Sequence, residues 1–341
     1  MFKLKIILIT LFSLSISKLA FNLNKLEDIT INDTHSIDTI CCSKKNDFFL
    51  YCTANKISLY KFELETNTTK EIKSIYNNGD RNHDIKINKD EDIIAVSHFC
   101  KINFYTINNN KLFFSKTMYT NFGSRLHIIN FHPKENWFIC TVNNRAIQIY
   151  KLKKTKNILE YEEMEIIHTT FHEGAIELIK FSPSGNFFIS ACQKNINFWS
   201  LKNNSYEHFQ TIISTKKPQI IIKDVDFYND EKITCALSDG SIKFWEFEQT
   251  EFKKYKKLFF PNILIHKITF NNDLNLLLVS HTCGIIILNI DQEYQQIETL
   301  ENSNNILSLG FMGNLLLTGS HKGNIEMYEL PIRPTKSANK I

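Results

Sequence analysis

Short apolar runs separated by polar turns recur along this chain with a period in the forties. Each unit ends on a bulky residue that closes an apolar run. These residues are Tyr60, Tyr105, Tyr150, Trp199, Trp245, Leu288 and Tyr328, spaced by 45, 45, 49, 46, 43 and 40 residues. The runs are rich in Ile, Phe and Leu, and no long stretch shows a sustained 3.6-residue rhythm. Strands are therefore expected rather than helices. Units of several short strands repeating at this period predict an all-β chain folded as a seven-bladed β-propeller.

The fourth copy is the clearest. Ile176, Ile179 and Phe181 form a first strand, and Ser182-Pro183-Ser184-Gly185 supplies the turn, with Pro fixing φ and Gly tolerating a positive φ. Phe187 to Cys192 is a continuous apolar strand, Ile196 to Trp199 a third, and Tyr206 to Ile213 a fourth after a break at Asn203-Asn204. The second strands do not alternate, as expected of strands buried on both faces. Blade seven ends at Tyr328 with only a polar tail after it, so it lacks a fourth strand of its own. The segment from Leu19 to Ile31 has no other use and is predicted to supply that strand. This stitches the beginning of the chain to its end and leaves no open edge.

On these residues the chain resembles the WD40-repeat propellers, over roughly residues 19–330. The best carriers are Phe181-Ser182-Pro183-Ser184-Gly185 with Trp199, and Ser238-Asp239-Gly240-Ser241-Ile242-Lys243-Phe244-Trp245. In that family a His, a Ser or Thr, a turn Asp and the Trp form a hydrogen-bonded tetrad. The resemblance implies structural roles for His172, Ser190 and Trp199 in blade four, where Gln193 stands in the place of the Asp. In blade five it implies them for Asp239 and Trp245, where the His is missing. No blade ends in Trp-Asp. A fainter likeness, in order of parts only, is to transducin beta-like proteins of the endoplasmic reticulum membrane, which carry a hydrophobic segment before a WD40 ring.

The first residues add a separate signal. A basic start through Lys3 and Lys5, a nine-residue apolar stretch from Ile6 to Leu14, and small residues at Ser15 and Ser17 read as a secretory signal peptide. The stretch is short of the ~20 residues a membrane span needs. The expected organisation is thus a signal peptide at 1–17, a propeller at 18–330 and a polar tail at 331–341. Localisation would be the secretory pathway, and membrane contact would come only through residues 1–17. The alternative is a cytoplasmic propeller whose apolar N-terminus packs on the ring or anchors it.

Net charge is +4, without the concentrated patch that nucleic-acid binders carry. Two lysine clusters stand out, Lys151/Lys153/Lys154/Lys156 and Lys253/Lys254/Lys256/Lys257. They read as edge lysines that discourage strand pairing, the first neutralised by the acidic run Glu160–Glu165. Of eight cysteines, Cys52, Cys140, Cys192 and Cys235 fall in second strands, where a free thiol packs well. No C-x-x-C pair occurs, so zinc and a disulfide framework are not expected.

The chain contains no phosphate loop, no H-E-x-x-H and no G-x-S-x-G. No cofactor or metal is implied: His168 and His172 are four apart, but not on a helix. His98, His281 and His321 fall near turns between second and third strands, and Arg145 shares that turn in blade three. Arg81 and Arg125 lie in blade-to-blade loops. All six belong to one rim and are the candidate contact face for an acidic peptide or an anion. The expected function is a non-catalytic protein-interaction scaffold. A membrane-anchored or cytosolic subunit of a larger assembly is the alternative, with a propeller enzyme behind both.

Overall fold

The computed structural model describes residues 23–331, except 31–34, 46, 64, 78–80, 99, 109–110, 120–127, 143–145, 155–158, 169 and 303. The signal-peptide reading at 1–17 and the polar tail beyond Pro331 lie outside this range. The described residues form seven antiparallel sheets of four strands each, and no helix. The first strand of each sheet contacts the first strand of the next, and that of the seventh returns to the first. The sheets are therefore blades in a closed ring around a channel.

Blade four shows the unit: Leu178–Phe181, Phe187–Ala191, Asn195–Lys202 and Ser205–Ile213, in that order from channel to rim. In blade seven the strands Ile306–Met312, Leu315–Ser320 and Asn324–Glu329 are completed by Asn24–Thr30 on the outside. The N-terminal strand closes the last blade, as the repeat pattern predicts.

Burial follows position in the blade. The second strands Phe48–Cys52, Ile93–Ser97 and Leu276–His281 are buried at every residue, whereas the outer strand Thr68–Tyr76 is mostly exposed. Seven apolar clusters lie one at each blade-to-blade interface, so the core is a set of radial layers rather than one central mass. The closing residues anchor these layers. Tyr60 stacks on Phe49, Tyr150 on Phe138 and Trp199 on Phe188, with centroids 5.4, 5.0 and 5.6 Å apart. Each of these pairs is directly opposite across the second and third strands.

A bulge recurs at the same place. Pairing of third and fourth strands slips one residue immediately before Tyr60, Tyr105, Tyr150, Trp199, Trp245 and Leu288. The slip leaves Ile72, Ser115, Met164, Phe209, Tyr255 and Ile297 as the extra residues. Bulges sharpen the local twist, and a propeller blade needs that twist to turn its outer strand away from the channel strand. In blade seven the slip lies between Lys25 and Glu27, opposite Tyr328 and Met327, with Leu26 as the extra residue. The N-terminal strand thus repeats the irregularity of the other six outer strands.

Asn does much of the turn work where Gly is scarce. Asn67, Asn203, Asn204, Asn262, Asn275 and Asn305 all take positive φ between 49° and 65°, a region Asn tolerates better than most residues.

Candidate interaction face

First and third strands run one way and second and fourth the other. Second-to-third turns and blade-to-blade connections therefore emerge on one face, the upper face, and the remaining turns on the lower. Beneath the upper face, blade four carries a buried polar network. Trp199 Nε1 donates to Ser190 Oγ at 2.8 Å, and His172 Nε2 lies 2.8 Å from the same oxygen. The acceptor beside His172 Nδ1 is Asn195 Oδ1 at 3.3 Å, while Asn195 Nδ2 donates to the Phe171 carbonyl. Gln193 turns away and donates to Glu177. The position held by Asp in related repeats is thus filled by Asn195, two residues past the one the sequence suggested. Asn197 Nδ2 and Thr211 Oγ1 extend the network on the neighbouring strands.

His172 is buried and its pKa is pushed down to about 4, chiefly by desolvation. The folded site holds the neutral ring, so as pH falls below 6.5 protons bind the unfolded chain first. The contribution of His172 is complete above pH 6.5 and is lost as pH falls toward 4, amounting to about 3 kcal/mol. His172→Gln should lower Tm at neutral pH and flatten the acid limb of a Tm-versus-pH curve between those values. A variant with the parental slope would remove His172 as its cause.

In blade five the turn Asp239 spends Oδ1 on the Ser241 amide at 3.0 Å. Trp245 is buried in the layer facing blade four, among Ile233 and Phe252. The six candidate contact residues divide. Arg81 is on the upper face, its side chain 65 % exposed and 3.5 Å from Asp38, and His321 is exposed in its turn. His98 and His281 are turned inward. His98 Nε2 bonds Asn103, which in turn accepts from Thr117, and His281 Nδ1 accepts the Cys283 amide. Burial lowers the His281 pKa. Neither imidazole offers itself to a partner, because both backbones still pair across the turn and both side chains are buried. Arg125 and Arg145 lie outside the described residues.

The channel holds a cavity of about 620 Å³, lined by residues such as Asp84, Lys86, Ile128, Lys180, Lys267 and Ser308. Its wall is charged as well as apolar. Lys86 pairs with Asp84 at 2.5 Å, Lys180 with Asp226 and Asp224 at 3.1 and 3.5 Å, and Lys267 with Asp224 at 3.9 Å. Burial opposes the charge on Lys180, but Asp224 and Asp226 outweigh it and raise its pKa. Asp224 itself is fully buried and accepts from the Ile268 amide of the next blade at 3.1 Å. These charges satisfy one another and tie blades four, five and six together.

All eight cysteines are free, and burial raises the pKa of Cys52, Cys140 and Cys235, which keeps those thiols protonated. Among the described residues no group of three or more His, Cys, Asp or Glu is placed to hold a metal ion.

The sequence profile described as WD domain, G-beta repeat matches residues 164–200. The chain is a seven-bladed propeller that carries a WD40 repeat. The matched stretch begins in the outer strand of blade three, Leu159–His168, and ends in the third strand of blade four. The WD40 repeat is therefore offset from the structural blade by one strand. The same offset obliges residues 24–30 to complete blade seven. The match falls on the blade that carries His172, Ser190 and Trp199. No curated protein matches the chain. The likeness to transducin beta-like proteins of the endoplasmic reticulum membrane gains no support.

Proposed function

We propose that this WD40 propeller is a non-catalytic scaffold that holds a protein or peptide partner on its upper face. The observation that carries the reading is the closed ring itself. The paired strands of the seven blades direct their second-to-third turns and blade-to-blade connections to one face, an arrangement suited to recognition by loops on a fixed frame. The channel supports the non-catalytic part, because its charged groups Lys86, Asp84, Lys180, Asp224 and Lys267 are engaged with each other.

The test is affinity capture with a tagged chain and with a variant carrying Arg81→Glu, Arg125→Glu and Arg145→Glu together. Loss of specific partners by a folded variant is expected. Unaltered capture would remove these arginines as the contact face.

Entry into the secretory pathway belongs to the same proposal. The closing strand begins at Asn24, so cleavage after Ser17 would spare it. Mass spectrometry of the mature N-terminus decides the point: a chain lacking residues 1–17 is expected, and an intact Met1 on a cytosolic pool would defeat it.

A further inference from the structure

Two sets of outer lysines contrast in their surroundings. One group is paired: Lys153 with Glu162 at 2.6 Å, Lys202 with Glu207 at 3.4 Å, Lys232 with Glu246 at 3.2 Å, and Lys253 with Glu248 at 3.6 Å. The other gathers at the upper edge of the crevice between blades four and five. Lys243 of the third strand of blade five stands directly opposite Lys257 of its fourth strand. Lys243 Nζ reaches across to the Ser214 carbonyl in the connection leaving blade four. The Ser214 amide is held by the Lys194 carbonyl at 2.9 Å, and the exposed Lys216 and Lys217 follow in the same connection. Among the described residues, no carboxylate lies within 4.0 Å of the ammonium of Lys194, Lys216, Lys217, Lys243 or Lys257. The carboxylate of Asp239 nearby is spent on a backbone amide.

Like charges directly opposite across two strands destabilise a sheet, and here one member of the pair, Lys243, is half-buried, so the cost is less screened than at the exposed ends of outer strands. Burial first, then the neighbouring Lys254 and Lys257, hold the Lys243 ammonium below its ordinary pKa. Beside these charges is an apolar side chain without cover: Phe259 is 58 % exposed, with Lys257 Nζ 5.7 Å from its ring centroid.

We propose that this crevice binds an acidic protein segment, one of clustered Asp and Glu with a large apolar side chain that packs on Phe259. Charge complementarity argues for the sign of the partner. The crevice argues for its shape: Lys243 is half-buried between two blades, where an extended chain reaches it and a flat bilayer or a duplex does not. The assignment rests on the scaffold reading above and names the partner chemistry for one part of it.

The probe is a fluorescein-labelled peptide of Asp and Glu residues with one central Phe, titrated with the full chain at low and high salt. Binding that weakens with salt is expected. A Lys216→Gln/Lys217→Gln/Lys257→Gln variant should lose roughly tenfold or more in affinity, and Lys153→Gln should bind as the parent does. Lys257→Glu should abolish binding while raising the Tm of the free protein, because it places opposite charges where like charges stood. That variant also keeps the proposal testable if the triple variant misfolds. The proposal is overturned by a parent chain that ignores the peptide, or by lysine variants that bind it as well as the parent. Tighter binding of phosphatidylserine vesicles or single-stranded DNA at these same lysines also overturns it. If the peptide fails while partner capture still depends on Arg81, Arg125 and Arg145, the scaffold reading stands and only this assignment falls.

Discussion

A chain that begins at Ile31 should melt at least about 10 °C below the complete one and should aggregate on concentration. Residues Asn24–Thr30 register against Asn324–Glu329 along nearly the whole outer edge of blade seven. Losing roughly half a dozen ladder hydrogen bonds at ~1 kcal/mol each removes about 5 kcal/mol. The packing of Leu23 and Leu26 against the neighbouring layers goes with it. For a domain of this size each kcal/mol is worth about 2 °C or more. The strand Asn324–Glu329 would then present an unpaired edge to other molecules, which is the source of the aggregation. Thermal melts of the two chains read the first effect, and light scattering reads the second. Equal melting temperatures would mean that the ring does not depend on its N-terminal strand.

Asp224→Ala is expected to cost about 3 kcal/mol, a large effect for one residue that touches no apolar layer. The carboxylate accepts from the Val225 and Ile268 amides at 3.0 and 3.1 Å, and Lys180 and Lys267 lie against it. Its removal leaves a buried amide of the next blade unsatisfied and two ammonium groups without a counter-charge. Asp226→Ala is the comparison. Its side chain is 20 % exposed and its interblade contact with the Phe270 amide is a long 3.4 Å, so it should lose well under half as much. Denaturant titrations of both variants give the two values. A tolerant Asp224 position would show that the apolar layers alone hold blades five and six together.

Much of the ring was legible because its signals are redundant. The closing residues sit at the end of the third apolar run in every copy, and burial between blades makes the second strands continuous apolar runs such as Phe48–Cys52. The missing outer strand of blade seven was visible as a deficit at one end of the chain and a surplus at the other. The functional face was less legible, because it depends on side-chain direction within one residue of a turn. His98 and Cys192 follow second strands at equivalent positions, and both donate backbone amides across the turn. That pairing points His98 inward, which spacing alone does not reveal. The same ambiguity hid Asn195 behind Gln193 as the partner of His172. The channel charges did leave a signal. Asp84-Ile85-Lys86-Ile87 and Asp224-Val225-Asp226-Phe227 alternate polar with apolar; Asp84 and Lys86 line the channel, and Asp224 and Asp226 pair with its Lys180. For the lysines, the one-residue bulge before Trp245 decides which of Lys253, Lys254, Lys256 and Lys257 meets Glu246 and which meets Lys243.

Closure of the ring by its own N-terminus is tested most directly by zero-length cross-linking. Lys25 Nζ lies 2.9 Å from Glu326 Oε1, across 301 residues of sequence. Carbodiimide treatment of the dilute monomer, followed by digestion and mass spectrometry, should yield a peptide joining Lys25 to Glu326, alongside the local link between Lys232 and Glu246 at 3.2 Å. Recovery of the local link without the long-range one would contradict a seven-bladed ring stitched shut by residues 24–30.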